Sequence, residues 1–269
     1  MKDKHNFRNI IYGYYHASGR LFPWRETDDP YKILVSEIML QQTQTERVIG
    51  KYLEFLAKFP TIESLSDAPF AEVLKTWQGL GYNRRAKSLK KTAEILTAGF
   101  DGKVPSTIEE LQSLPGIGYA TACSISAFAF NLPVVFIETN IRRVFIHFFF
   151  KGKENITDKE ILPYVEETLD RGNPGKWYNA LMDYGVKLKN EVSNPNQRSA
   201  HYTKQAPFRN SNREVRGRIL KILTETGDLE ESAILEKLRY PKQQVNYCLK
   251  ALEQEGFLVC DSGRVYLSE

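Results

Sequence analysis

The sequence predicts a mainly α-helical protein that consists of a large helical core and a small C-terminal domain of winged-helix type. Apolar side chains recur at helical spacing through most of residues 6–190, and residues 213–269 contain three helical patterns followed by two short strand patterns. Between these parts, residues 191–212 are polar and lack periodicity, which indicates a long loop or linker. A chain of 269 residues with 42% hydrophobic residues can bury a core in each of two domains.

The formal net charge of +4 is unevenly distributed. Residues 213–269 hold nine basic and ten acidic side chains, so the positive excess lies in the first 212 residues. This excess suits a polyanionic partner, although net charges of this size are also common in proteins that bind nothing acidic. The charged N-terminus is not followed by a secretory apolar segment, and no stretch approaches the ~18 unbroken apolar residues of a membrane helix, so we expect a cytoplasmic protein.

The helical core contains a tight turn between two helices at residues 114–122. Pro115 ends the first helix, and Gly116 and Gly118 permit a turn that bulkier residues could not make. The backbone N–H groups at the start of the second helix then form a site for an anion such as phosphate. An ordinary helix–helix connection is the alternative.

Glu37 is the unusual residue of a helix predicted over 31–44, which Pro30 opens at a favoured first-turn position. It lies among apolar residues and shares a helix face with Gln41. Apolar surroundings raise the pKa of a carboxyl and favour its neutral, proton-donating form. The alternative is a glutamate that caps a buried backbone group or points outward.

Further helices are predicted at 6–19, 47–58, 62–68, 69–77, 84–100 and 141–150. In the glycine-rich turn 79–83, Tyr82 can stack on a ligand, and the following basic residues Arg84, Arg85 and Lys87 can reach phosphates. A solvated basic turn is the alternative. Glu138 precedes the helix at 141–150, where a helix N-terminus stabilises a charged carboxylate, unless this residue is only a helix cap.

The C-terminal domain is predicted to contain helices at 213–226, 231–238 and 242–255 and strands at 257–260 and 265–267. This is the element order of a winged helix. Its presumed recognition helix, at 242–250, is only mildly basic, and the domain carries no net positive charge. DNA binding and a role in packing or protein contact both remain open for this domain.

Five motifs, in this order over roughly residues 7–188, resemble the helix-hairpin-helix (HhH-GPD) DNA glycosylase superfamily, most closely its A/G-specific adenine glycosylases in a variant without an iron–sulfur cluster. The motifs are Phe22-Pro23-Trp24-Arg25, Ser36-Glu37-Ile38-Met39-Leu40-Gln41-Gln42-Thr43-Gln44, Gly79-Leu80-Gly81-Tyr82, Leu114-Pro115-Gly116-Ile117-Gly118 and Glu138-Thr139-Asn140-Ile141-Arg142-Arg143-Val144. The resemblance implies a two-lobed core over 1–190, with the hairpin in a lobe at 22–132 and the second lobe at 1–21 and 133–190. Residues 191–212 would then replace the iron–sulfur loop, and 213–269 would form the winged-helix-like domain.

The resemblance also implies roles for individual residues. Glu37 matches the general acid that protonates the flipped base, Glu138 the carboxylate that stabilises the cationic sugar, and Asn140 the asparagine that places the nucleophilic water. The positions expected to contact DNA are Gln41, Gln42, Tyr82, Arg84, Gly116, Gly118, Tyr119 and Thr121. The positions expected to line the base pocket are Trp24, Arg25 and Ala120. Distinct environments should push the pKa values of the two carboxyls apart.

The chain departs from the family pattern at three sites. Glu138 stands where the family has Asp, and Ala120 stands where bifunctional members carry the lysine of the lyase reaction. The third departure is the stretch 187–210, which lacks the four cysteines of the usual iron–sulfur cluster; the chain has only Cys123, Cys248 and Cys260, far apart. We therefore expect no cluster and no metal ligated by side chains, while the family's monovalent cation at the hairpin backbone stays compatible with the sequence.

The expected function is that of a monofunctional DNA glycosylase of base excision repair, which hydrolyses the N-glycosidic bond of a flipped, mispaired base. Adenine opposite guanine or 8-oxoguanine is the expected target, and the partner is double-stranded DNA with a mismatched or damaged base, bound by a monomer associated with the nucleoid. The glutamine-rich stretch 41–44 favours adenine, whereas the winged-helix-like module replaces the domain that usually reads oxidised guanine. The alternatives are a glycosylase for thymine or modified cytosine and a non-catalytic DNA-binding relative.

Overall fold

A computed structural model describes residues 3–204 and 207–268 of the chain. The helices in these ranges are α1 (Asp3–Ser18), α2 (Pro30–Leu40), α3 (Thr45–Lys58), α4 (Ile62–Asp67), α5 (Phe70–Trp77), α6 (Arg84–Gly99), α7 (Ile108–Ser113), α8 (Tyr119–Phe130), α9 (Thr139–Phe149), α10 (Asp158–Thr168), α11 (Pro174–Glu191), α12 (Asn212–Thr226), α13 (Glu231–Leu238) and α14 (Lys242–Gln254). Short 3-10 helices lie at Pro23–Arg25 and Pro195–Arg198. The strands are β1 (Asp228–Glu230), β2 (Leu258–Asp261) and β3 (Arg264–Leu267). The fold is mainly helical, as the sequence predicts.

The chain forms two compact units. The first comprises the chain up to Glu37 together with Val104–Lys204, and the second comprises Ile38–Lys103 together with the C-terminal part from residue 205. The division therefore falls within α2. In this grouping the hairpin helices α7 and α8 belong with α1 and α9–α11; the sequence-based boundaries at 21, 132, 190 and 212 remain a prediction.

The core of the first unit is rich in aromatic side chains from α1, α9 and α11. Phe7 contacts Trp177 edge to face, with ring centroids 5.9 Å apart, and its ring centroid lies 5.4 Å from that of Phe145. These three side chains are at most 2% exposed. Burial of an aromatic side chain of this size stabilises a fold by about 1.5–3 kcal/mol, so this cluster fixes α9 and α11 against each other.

Most side chains in an apolar core of the second unit come from the C-terminal domain. Its three helices pack on a three-stranded antiparallel sheet in the order β1-β3-β2, of which the three-residue β1 was not predicted. Phe70 and Leu74 of α5 belong to the same apolar cluster, and the rings of Phe70 and Phe257 lie 5.9 Å apart. The winged-helix domain is therefore packed on α5 rather than suspended from a linker.

Two sequence expectations about chain path are wrong. Helix α2 ends at Leu40 rather than at 44, because the next residues form a turn in which Gln42 has a left-handed φ of 54°. Gln41 thus does not extend the helix face of Glu37. The stretch 191–212 is not wholly irregular either, because the 3-10 helix Pro195–Arg198 contacts α9 and buries Asn196, and Ser199 forms a parallel bridge with Ile156.

Within the described residues, no helix has the length and apolar composition that crossing a membrane requires.

Candidate active site and nucleic-acid interface

Glu37 lies in the third turn of α2 and is partly buried. Its Oε2 accepts a hydrogen bond of 2.6 Å from the hydroxyl of Ser124 on α8. Burial raises the pKa of Glu37 to about 7, and the negative charge of Glu138 contributes to this increase. The hydrogen bond from Ser124 and the positive charge of Arg25 lower the pKa and so oppose the increase. At neutral pH a large fraction of the Glu37 carboxyl is therefore protonated, as proton donation by a general acid requires.

Glu138 is the N-cap of α9. Its Oε1 accepts hydrogen bonds from the backbone N–H groups of Asn140 at 2.7 Å and Ile141 at 2.9 Å. Burial raises the pKa of Glu138, although these two bonds and the charges of Arg143 and Arg142 favour the ionised form. The backbone N–H groups at the helix start favour the charged form of Glu138, as the sequence predicts, but burial raises the pKa values of both carboxyls, and the separation of these two pKa values stays a prediction.

The side chain of Asn140 is held in one orientation by its neighbours on α9. Its Oδ1 accepts a 2.6 Å hydrogen bond from Nη1 of Arg143, and its Nδ2 donates to Oε2 of Glu138 at 3.3 Å. Arg143 is 4% exposed and also donates to Oδ1 of Asn194 and to the carbonyl oxygen of Gly185. Asn194 belongs to the stretch that the sequence assigned to a linker, so that stretch supports the candidate site.

Gly185 is a residue of this site that sequence reasoning missed. A Cβ atom placed on it would lie 2.6–2.9 Å from the O, Cβ and Cα atoms of Asn140. Only a glycine allows α11 to approach the first turn of α9 this closely. A glycine inside an otherwise well-formed helix was the available signal.

We expect Gly185→Ala to lower the free energy of unfolding by about 1–3 kcal/mol, because the added methyl group must displace backbone. The same displacement moves Asn140. Gly217→Ala is the matched control, since Gly217 lies inside α12 and its Cβ would meet nothing within 4 Å. Chemical denaturation should show a stability loss for the first variant and none for the second. Equal stability of Gly185→Ala and the native protein would contradict this packing.

Arg25 and Trp24, both expected in the base pocket, are largely engaged inside the protein. The guanidinium of Arg25 donates two hydrogen bonds of 2.9 Å to the carboxylate of Asp183, which is 1% exposed. Burial of Asp183 favours its neutral form, but Arg25 and Arg20 outweigh it and lower its pKa. Trp24 is buried and stacks on Phe22 with centroids 5.0 Å apart. Arg25 therefore acts on Glu37 through its charge, and a contact of either residue with a base stays a prediction.

The hairpin between α7 and α8 contains Gly116 and Gly118, and of these two only Gly116 has a backbone conformation that favours glycine. Gly116 adopts a left-handed φ of 79°, whereas Gly118 has a φ of −85° and is the N-cap of α8. The expectation that both glycines are needed for the turn is therefore wrong for Gly118. Apart from its chain neighbours, the described residues place no atom within 4 Å of a Cβ on Gly118.

Three further predicted residues occupy the first turn of α8. Tyr119 and Ala120 are exposed, and Thr121 is half-buried. The hydroxyl of Tyr119 donates to the carbonyl oxygen of Val135 at 3.2 Å. Exposed residues at the start of a helix can approach an anionic backbone, so their contact with DNA stays a prediction.

In the second unit, the predicted DNA-contacting turn is tied to the winged-helix domain. Tyr82 has a left-handed φ of 48°, and its hydroxyl accepts a 2.7 Å hydrogen bond from Arg213 of α12. Arg84 forms a bidentate ion pair with Glu255, at 2.6 and 2.7 Å. The carboxylate of Glu255 also forms an ion pair with Arg216. The side chain of Arg84 is 72% exposed in this ion pair, and its contact with a phosphate stays a prediction.

The two other basic residues of this turn donate to backbone carbonyl oxygens. The expectation that Arg85 reaches a phosphate is wrong because this side chain is buried, whereas the same expectation for Lys87 stays a prediction. Arg85 is buried and donates to the carbonyl oxygens of Ile38, Met39 and Gln41. Its positive charge thus offsets the partial negative charge of the carbonyl groups at the end of α2. Its burial lowers the pKa of the guanidinium to about 10. Lys87 donates to the carbonyl oxygens at positions 255 and 256.

Fold and site together define a helix-hairpin-helix protein with an acidic site and an attached winged-helix domain. Residues 35–170 match the family described as HhH-GPD superfamily base excision DNA repair protein, which is half of the chain. The chain belongs to this superfamily. Residues 213–259 match a family described as winged helix-turn-helix DNA-binding.

Curated relatives of the chain include adenine DNA glycosylases. The protein of Buchnera aphidicola (subspecies Baizongia pistaciae) is 40% identical over 186 residues, which cover 68% of this chain and 52% of the relative. The human protein is 31% identical over 194 residues, which cover 68% of this chain and 36% of the relative. The chain spans about half the length of the first of these curated relatives.

Solved structures show the same fold. A thermostable thymine-DNA glycosylase is 29% identical and superposes with a TM-score of 0.64 over 69% of this chain and 87% of that protein. A trapped covalent intermediate of endonuclease III with DNA superposes with a TM-score of 0.57 at 18% identity, over 76% of this chain and 90% of that protein.

Proposed function

We propose that the protein is a monofunctional DNA glycosylase of base excision repair that hydrolyses the N-glycosidic bond of a flipped base in double-stranded DNA. The observation that carries the proposal is the pair of carboxyls in the first unit. Glu37 is partly buried and hydrogen-bonded, its pKa is raised to about 7, and Glu138 is near enough to influence that pKa. Membership of a base excision repair superfamily supports the same reaction.

Each group of the site has a task in this reaction. The departing base needs a proton, which the neutral Glu37 supplies. The sugar develops positive charge as the bond breaks, and we assign the stabilisation of that charge to Glu138. The N–H groups of Asn140 and Ile141 and the charges of Arg143 and Arg142 favour its ionised form against the effect of burial. The amide of Asn140, fixed by Arg143, is suited to hold the water that adds to the sugar. The base must leave the stack to reach these groups, a step that we assign to Tyr82 and the glutamines Gln41 and Gln42.

The proposed reaction stops at hydrolysis. Ala120 occupies the first turn of α8, so this position offers no amine that could attack the sugar and form a Schiff base. The product is therefore an intact abasic strand.

The residues present do not fit the iron–sulfur cluster that is common in the superfamily. Such a cluster needs four thiolates, and the three cysteines of the chain are free, with Cys123 and Cys248 buried in different units and Cys260 exposed. In residues 3–204 and 207–268, no group of three or more His, Cys, Asp or Glu side chains is arranged to hold a metal ion. We propose that the reaction uses no cluster and that the 3-10 helix Pro195–Arg198 serves in its place as the packing element against α9.

Adenine is the base that we propose as the target, opposite guanine or 8-oxoguanine. The support is the similarity to adenine DNA glycosylases at 31–41% identity, together with the stretch Gln41-Gln42-Thr43-Gln44. Thymine is the second candidate, because the chain matches 87% of the length of a thymine-DNA glycosylase but only about half of the adenine enzymes.

Excision on a panel of duplexes tests the proposal. Each duplex carries one mismatch or lesion, and alkali cleaves the product strand at an abasic site. We expect strand cleavage after alkali only, with the fastest single-turnover rate on adenine opposite 8-oxoguanine or guanine. Preference for thymine opposite guanine would favour the second candidate. No excision on any duplex, with intact DNA binding, would favour a non-catalytic relative.

A further inference from the structure

Ser124 contacts the Glu37 carboxyl from α8, one helical turn after Ala120. The hydroxyl lies 2.6 Å from Oε2 of Glu37, and Ser124 is 3% exposed. Residues four apart lie on one face of a helix. The hydroxyl of Ser124 is thus a polar group of α8 in contact with the carboxyl.

The hydrogen bond between Ser124 and Glu37 limits which oxygen of the Glu37 carboxyl can carry the proton. A serine hydroxyl donates one hydrogen bond, and Ser124 has two acceptors in reach, Oε2 of Glu37 at 2.6 Å and the carbonyl oxygen of Thr121 at 3.0 Å. Inside α8 that carbonyl is already the acceptor of a backbone N–H. The 2.6 Å contact lies in the distance range of a hydroxyl that donates to a carboxylate, the stronger kind of hydrogen bond, so we assign the hydroxyl hydrogen to Oε2 of Glu37.

We propose that Ser124 is a positioning residue for Glu37, whose hydroxyl occupies Oε2 and leaves Oε1 as the oxygen that carries the proton for the departing base. The proton on Oε1 points away from the serine and remains transferable. Without the hydroxyl, the proton can reside on either oxygen, and the carboxyl also loses the contact that fixes its orientation. This inference rests on the proposed function, because it assigns a direction to the proton transfer by Glu37.

The charges of Arg25 and Glu138 also affect the pKa of Glu37. Arg25, from the 3-10 helix Pro23–Arg25, favours the ionised carboxyl, and Glu138, at the start of α9, favours the neutral one. The hydroxyl of Ser124 favours the ionised form as a hydrogen-bond donor. Removal of the hydroxyl leaves Arg25 and Glu138 in place, so the pKa of Glu37 should rise.

The test compares Ser124→Ala with Ser126→Ala in the full chain. Ser126 is the matched control because it is also buried on α8, and its hydroxyl donates to the carbonyl oxygen of Ser106 instead of to Glu37. Carbon-13 NMR of labelled glutamate, assigned with Glu37→Gln, follows the Glu37 carboxyl in the free protein. Single-turnover excision is measured over the same pH range.

We expect Ser124→Ala to move the titration midpoint of Glu37 to higher pH and to shift the falling limb of the rate profile in the same direction. At low pH, where both proteins hold a protonated Glu37, the rate should fall by about 10-fold, a part of the 10²–10⁴ that general acid catalysis contributes. Ser124→Thr keeps the hydroxyl and should restore both properties. Ser126→Ala should change neither.

An unchanged Glu37 midpoint and an unchanged rate profile in Ser124→Ala would overturn the inference. Equal effects of Ser124→Ala and Ser126→Ala would also overturn it, because they would reduce Ser124 to a packing residue. If the native protein excises no base from any duplex, the proposed function fails, and the midpoint then decides separately whether Ser124 controls the proton on Glu37.

Discussion

Glu37→Gln should abolish base excision while the affinity for the duplex stays within a few fold of that of the native protein. Glutamine is nearly isosteric with glutamate, and its carbonyl oxygen can still accept the hydrogen bond from Ser124. It cannot donate the proton to the departing base, so the single-turnover rate should fall by the 10²–10⁴ that a general acid contributes. Rapid-quench assays with enzyme in excess measure this rate, and gel shift or fluorescence anisotropy measures the affinity.

Glu109→Gln is the control for this variant, because Glu109 is an exposed carboxylate in the first turn of α7. Its rate should equal that of the native protein. An undiminished single-turnover rate in Glu37→Gln would remove Glu37 from the role of general acid.

Glu138→Gln should slow the chemical step by on the order of 10²-fold or more, with little change in affinity for intact DNA. The substitution removes the negative charge that stabilises the cationic sugar. The amide oxygen can still accept the backbone N–H groups of Asn140 and Ile141, so α9 keeps its N-cap and its fold. A denaturation midpoint close to that of the native protein would show that the rate loss is chemical rather than structural.

Glu138→Asp examines the departure from the family pattern in the same assay. In the structure the longer side chain accepts both backbone N–H groups, at 2.7 and 2.9 Å, and we propose that the site is adapted to glutamate. The shorter aspartate should lose activity by on the order of 10-fold through misplacement. A gain of activity would mean that the pocket only tolerates Glu138, and unchanged rates in both variants would reduce it to a helix cap.

The start of α2 and the bounds of the three winged-helix helices were predictable because their signals are local. Pro30 opens α2, and the helices α12–α14 begin within one residue of their predicted starts. The end of α2 was not predictable in this way. Arg85, more than forty residues further along the chain, donates to the carbonyls that terminate it.

The candidate site shows the same contrast. The motifs indicate Glu37, Glu138 and Asn140 by residue type and position, but the side chains that orient them come from distant segments. Ser124 lies in a helix of small residues where a serine gives no functional signal, and the packing of Gly185 on Asn140 depends on tertiary structure. The basic turn was visible in composition, whereas the partner of Arg84, Glu255, lies in another domain of the sequence.

The pH dependence of the single-turnover excision rate tests most directly the central claim that a neutral Glu37 protonates the departing base. The protonated fraction of Glu37 decreases as the pH rises through its raised pKa of about 7. The rate should therefore be high near pH ~6 and fall about tenfold per pH unit above pH ~8, at enzyme concentrations that saturate the duplex. A rate that stays constant or rises over this range would contradict proton donation by Glu37.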